Sequence, residues 1–273
     1  MSDLALERAL IRDRWIVGGC LALLVTLACL WLWRDHLAMA AWDDSMAAMD
    51  MKDMEMEGGP MATTAAPAAY LVEAFAMWFI MMVAMMLPSA APMILIYGRL
   101  ARGARDEGAT FASTTLFASF YLAVWAAFSA VAALVQWALV KAGAISAMGL
   151  AFGDQRIGGA LLIAAGVYQL TPLKTACLQK CRSPLSFLMR LWRPGFAGAA
   201  RLGLSHGLYC LGCCAALMAL LFVFGVMNLA WVALLAIVVL IEKVAPQGER
   251  VGRLAGVAAL AVGVVMALGL AVR

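Results

Sequence analysis

Charge is what this chain has least of. Only 13% of its 273 residues are charged and 66% are hydrophobic, with a mean hydropathy of +0.93. Soluble domains sit nearer a quarter charged and half apolar, so a water-soluble globular domain is excluded. Several apolar runs exceed the roughly 18 residues that mark a membrane span. Segments of alternating polarity, about ten residues each, are missing, which excludes a membrane barrel. An open strand would leave its backbone unpaired in lipid, so the spans are helical. The basic residues lie between spans rather than in a patch, and nucleic acid is no partner. A cleavage site is missing too. Residues 15–33 form an apolar run after Arg8, Arg12 and Arg14, but Arg34, Asp35 and His36 follow it. The run therefore reads as a retained first helix. No internal repeat is evident.

The apolar runs predict an all-α polytopic bundle of about seven spans: 15–33, 71–97, 111–135, 156–171, 207–225, 228–244 and 253–271. The basic loops orient it. They carry Arg99, Arg102 and Arg105 after the second span, and Lys174, Lys180, Arg182, Arg190, Arg193 and Arg201 after the fourth. Arg250 and Arg253 follow the sixth, and the N-terminal arm is basic as well. With seven spans all of these fall on one side, which the positive-inside rule makes the cytoplasm. The N-terminus is then inside and the C-terminus outside, in a multi-pass membrane protein. Three regions are expected. Residues 1–33 are a cytoplasmic arm and first helix, 34–69 an acidic Met-rich outer loop, and 70–273 a six-helix transmembrane domain. A cytoplasmic segment, 172–205, belongs to that last region.

The outer loop is unlike the rest. It holds Asp35, Asp43, Asp44, Asp50, Asp53, Glu55 and Glu57, seven methionines and His36. Its end, GGPMATTAAPAA, reads as a flexible linker. Segment 172–205 lacks any acidic residue, and its PLSFLMRLWRP stretch suits a short helix at the interface.

Cysteine is where the chain departs from an ordinary apolar bundle. In SHGLYCLGCCAALM, His206, Cys210, Cys213 and Cys214 share one helical stripe, which Met218 continues. Cys177 and Cys181 stand four apart, on one face if Pro172 starts a helix. Both groups belong at the cytoplasmic ends of consecutive spans, where a structural disulfide is disfavoured. Soft thiolates select Cu(I), zinc or an iron–sulfur cluster. The two separated C-x-x-C knuckles of a zinc ribbon are absent. The competing reading is that cysteine is a small buried hydrophobe, which suits Cys20 and Cys29.

Glu242 and Lys243 end an apolar span. Such a pair marks a functional position, as metal ligand, proton acceptor or ion pair, although Lys243 can simply snorkel. In MWFIMMVAMMLPSAAPM, Met77, Met81 and Met85 share a stripe, as do Met82, Met86 and Met93. Thioethers bind Cu(I) but also fill cores. Pro88 and Pro92 are expected to kink or break this helix and free carbonyls near Ser89.

The stretches MMLPSAAPM, YQLTPLKTACLQKCRSP, GLYCLGCCAALMALLFVFGVMNLAW and IEKVAP resemble the bacterial family of predicted metal-binding integral membrane proteins, a domain of unknown function. The resemblance covers about 72–246. It implies an inner-membrane protein with a metal site at Cys177, Cys181, Cys210, Cys213, Cys214, Glu242 and Lys243, with Met81, Met82, Met85 and Met86. Family members often carry tryptophan where this chain has Ala215.

The leading expectation is a membrane protein that handles or transports a soft metal ion, copper preferred, with zinc or iron as alternatives. Its ligands are Cys177, Cys181, His206, Cys210, Cys213, Cys214 and Glu242. The secondary candidates are Met81, Met82, Met85, Met86, His36, Met49, Met51, Met54 and Met56, and Lys243, Tyr168 and Pro88 are supporting positions. A periplasmic or cytoplasmic metal carrier is the expected partner besides the bilayer. One alternative is a membrane enzyme: a metal-dependent oxidase with Tyr168, His206 or Glu242 near the metal, or a quinone-linked thiol oxidoreductase. Another is a structural or assembly subunit. Oligomeric state is left open. Gly252, Gly256 and Gly263 permit close helix contacts within or between chains.

Overall fold

The computed structural model describes residues 19, 22–23, 25–34, 37, 67–106, 114–145, 150–193 and 195–270. His36, Met49, Met51, Met54 and Met56 lie outside the described residues, as does most of the acidic methionine-rich segment. The described chain is helical, with a single isolated bridge between Ile145 and Phe152. The elements are α1 (Val25–Arg34), α2 (Pro67–Asp106), α3 (Thr114–Lys141), α4 (Gln155–Gln169) and α5 (Pro172–Arg182). They continue as α6 (Pro184–Leu191), α7 (Gly195–Ala219), α8 (Leu221–Phe224), α9 (Leu229–Val244) and α10 (Gly248–Ala267).

Among the described residues, four stretches are long and apolar enough to cross a membrane: Pro67–Gly103, Thr114–Lys141, Gly195–Phe224 and Gly248–Ala267. The pair α4 and α5, bent by 63°, counts as a fifth when taken together. Large apolar side chains such as Val131, Leu208, Ile237, Leu254 and Val257 face outward. Outward-facing apolar side chains on these helices are what contact with lipid would require.

Three local expectations are changed by the fold. Helix α2 runs without a break through Pro88 and Pro92. Neighbouring side chains bond its backbone there: Ser89 Oγ donates to the Met86 carbonyl at 2.8 Å and Tyr121 OH at 3.3 Å. Second, α7 starts at Gly195, twelve residues before the expected start of its span at 207. Its Ala- and Leu-containing N-terminal half continues the helix through Arg201. His206 and Cys210 thus lie about 16 and 22 Å along the axis from the helix start, in the interior of α7 rather than at its end. Third, Lys174 is not a solvated loop charge; it is buried against Glu242.

Glycine decides how closely the helices approach. A Cβ on Gly159 would lie 2.7 Å from both the Gly263 carbonyl oxygen and the Ala267 nitrogen. One on Gly166 would lie 2.7 Å from the Gly256 oxygen. Gly256 and Gly263 therefore close α10 on α4 within one chain. On the other side, Gly203 and Gly207 let α7 press on α3 at Phe117 and Val124. These obstacles at Gly159 are backbone atoms and cannot rotate away. Gly159→Ala is expected to cost about 1–3 kcal/mol, the range for overpacking, seen as a lower unfolding temperature in detergent. An unchanged midpoint would contradict this packing.

Candidate metal centre

The site is built where four helices meet around the second half of α7. Cys210, Cys213 and Cys214 lie on its buried face. No disulfide forms among the described cysteines. Cys213 Sγ donates to the Cys210 carbonyl oxygen at 3.1 Å, and Cys214 Sγ donates to the same oxygen at 2.8 Å. The i+3 and i+4 positions of a helix reach back to one carbonyl, so the C-x-x-C-C spacing itself produces this shared bond.

Each neighbouring helix adds a group. From α2, Met86 Sδ lies 3.7 Å from Cys214 Sγ. From α3, Tyr121 OH lies 3.2 Å from Cys210 Sγ. From α9, Lys243 Nζ donates to Cys210 Sγ at 2.9 Å and to Ser89 Oγ of α2 at 3.2 Å. Lys243 is thus a buried cation aimed at the centre, not a snorkelling one. Pro88 stands between Met86 and Ser89 in the α2 sequence, and Met81, Met82 and Met85 are buried in the preceding turns.

Helix α5 closes the other side. Thr171 caps it, accepting from the Lys174 nitrogen at 3.3 Å, and Pro172 occupies its first turn. The condition placed on Pro172 is met, and Cys177 and Cys181 face α7 from one side. Cys181 interacts with the Cys213 thiol. Cys177 Sγ would lie 2.9 Å from a Cβ on Gly212, so the glycine of C-L-G-C-C admits it. Tyr168 OH donates to the Gly212 carbonyl from α4.

Glu242 does something else. Lys174 Nζ lies 2.6 Å from its Oε2, and Gln169 Nε2 donates to its Oε1 at 2.9 Å. Arg182 donates to the Glu242 backbone carbonyl. Both charged side chains are nearly inaccessible, 1% exposed for Glu242 and 2% for Lys174. Both Glu242 carboxylate oxygens are therefore engaged beside the thiols, in a clamp that α10 joins through the Gly252 carbonyl oxygen, 3.5 Å from Gln169 Nε2.

His206 is the anomaly. It is buried, and neither ring nitrogen has a hydrogen-bond partner among the described residues. Its ring lies among Tyr121, Phe187 and Phe117, at centroid distances of 5.4, 5.9 and 6.2 Å. An unpaired buried imidazole is costly, one turn of helix from Cys210.

The donor set is selective. Among the described residues, no three of His, Cys, Asp and Glu are arranged around one point to hold an ion. What does gather near Cys214 is sulfur: Met86 Sδ lies 3.7 Å from its Sγ, and Cys210 stands one turn away on the same buried face; thiols with a thioether favour Cu(I). Met86 and Cys214, 3.7 Å apart, are the residues that would hold such an ion together. Tyr121 and Gln169 had no role in the sequence reading, Ser89 entered only as a position near the prolines, and Lys174 only as an orienting loop charge. A lone hydroxyl, phenol or amide in an apolar run carries no signal of its own. Lys174 lay within the P-L-K-x-x-C motif but looked like a loop charge.

Residues 75–266 match a family described as copper chaperone, PpoB2. No curated protein and no solved structure matches the chain.

Proposed function

The chain belongs to the PpoB2 copper chaperone family, and from that premise we propose that it is a membrane-embedded copper-handling protein whose cargo is Cu(I). Cys210 and Cys214 hold the ion with Met86. Lys243 supplies a counter-charge, because a Cu(I) ion between two thiolates is net negative. His206, Cys213, Cys181 and Cys177 are reserve ligands along the route by which the ion leaves. The observation that carries the reading is the 3.7 Å contact between Met86 and Cys214 beside the Lys243–Cys210 contact of 2.9 Å. It joins three helices into one buried sulfur site.

The basic loops support an N-terminus in the cytoplasm of a bacterial inner membrane, with the acidic methionine-rich segment outside as collector. A soluble metal carrier is the proposed partner. Movement of the ion between the outer segment and the sulfur centre follows from this placement.

X-ray absorption at the copper edge of the purified, Cu(I)-loaded protein tests the reading. A sulfur-dominated shell is expected, losing one sulfur in Met86→Leu. A shell of nitrogen and oxygen ligands would sink it. Lys243→Met is expected to weaken Cu(I) about 10–100-fold, the usual range for groups that act through a ligand. Chelator competition measures that change, and an unaltered affinity would remove Lys243 from the centre. Loading must also displace the thiol protons of Cys210 and Cys214, the latter now donated to the Cys210 carbonyl, so the apparent affinity should rise with pH.

A further inference from the structure

A small cavity lies beside the N-terminal half of α2, away from the thiols. Its volume is about 20 Å³, and it is lined by Leu32, Met77, Met81, Val226, Met227, Leu229 and Val232. Space of that size holds one water-sized particle, so its occupant is an ion or water rather than an organic molecule. The side chains lining it are aliphatic or thioether. A hard ion entering there would lose its hydration with no oxygen or nitrogen side chain in return. A soft ion exchanges hydration for sulfur.

We propose that Met77, Met81 and Met227 form a second Cu(I) site at this cavity, a proposal that rests on the copper reading of the sulfur centre. Met77 and Met81 are one turn apart on α2 and buried. Met227 comes from the turn between α8 and α9 and is partly exposed, which leaves one side open to the ion.

Chain connectivity agrees. Leu32 belongs to the last turn of α1, and α2 begins at Pro67. Both helices that bound the acidic methionine-rich segment therefore contribute to the cavity wall. From Met81 to Met86 is five residues, about 7.5 Å of helix axis, and Met82 and Met85 are buried in between. Thioether exchange along α2 then joins the cavity to Cys214. The site is a receiving station: uncharged ligands bind Cu(I) less tightly than thiolates and pass it on.

The experiment is Cu(I) titration of the detergent-purified full chain against a chromophoric chelator, comparing three proteins. These are the wild type, M77L/M81L/M227L and C210S/C214S. Leucine keeps the cavity apolar and nearly the same size, and matched unfolding temperatures check that the fold is kept. The expected result is that the methionine variant binds about one equivalent fewer than wild type while keeping the tight site. The cysteine variant should lose a different equivalent, the tight one. A methionine variant that binds as much Cu(I) as wild type overturns this second site and leaves the sulfur centre standing. A cysteine variant indistinguishable from wild type overturns the sulfur centre instead. A wild type without Cu(I) affinity overturns both.

Discussion

Replacing Cys210 and Cys214 together by serine should weaken Cu(I) binding by more than about 100-fold, beyond the range seen when only supporting groups are lost. Serine keeps the size of the side chain and its bond to the Cys210 carbonyl, but it exchanges a soft sulfur for a hard oxygen. The remaining Met86 is then a single neutral ligand. The single variant Cys213→Ser should do much less, because its thiol faces Cys181 and the Cys210 carbonyl rather than Met86. Cys29→Ser should change nothing, since Cys29 is exposed on α1. The measurement is chelator competition on purified protein with reductant present. Equal affinities for the double variant and wild type would refute the sulfur centre.

Glu242→Ala should be the most damaging single change to stability. The carboxylate sits between Lys174 at 2.6 Å and Gln169 at 2.9 Å, out of reach of solvent. Removing it strands a buried ammonium. Breaking a buried pair in this way costs about 3–5 kcal/mol, whereas replacing both charges by apolar groups is often neutral or stabilising. The paired substitution K174M/E242L should therefore recover most of the loss. Thermal unfolding in detergent compares the two. If E242A alone were as stable as wild type, the pair would carry no structural weight. Because the clamp joins α4, α5, α9 and α10 next to Cys213, its loss should also loosen the thiols. The resemblance to metal-binding membrane proteins places Glu242 among the metal positions; the geometry supports a role in holding α5 against α7 and α9.

Helix positions were largely legible before the fold was known. The apolar runs at 71–97, 111–135 and 228–244 overlap α2, α3 and α9, because a long unbroken apolar run between polar stretches is itself a helix signal. The start of α7 was not legible. Arg201 and the glycines look like loop residues in a linear reading, yet a helix carries an outward arginine and buries small residues where α3 presses close. The stripe of His206, Cys210, Cys213 and Cys214 was legible from spacing alone and is buried as a unit. The pairing of Cys181 with Cys213 needed α5 to fold back by 63° on α4, and no local pattern encodes that angle.

By itself the sequence determined the helical class, the apolar exterior, and the soft chemistry of the donor groups. These depend on composition and on a 3.6-residue repeat, which are local properties. Only the tertiary structure decided which donors meet. Met86 reaches Cys214 across 128 positions of chain, Lys243 reaches Cys210 across 33, and Lys174 finds Glu242 across 68. Glycines on α4, α7 and α10 set how closely those helices approach. A contact of 2.9 Å or 3.7 Å depends on helix separation and rotation, which are sums over the whole packed interior.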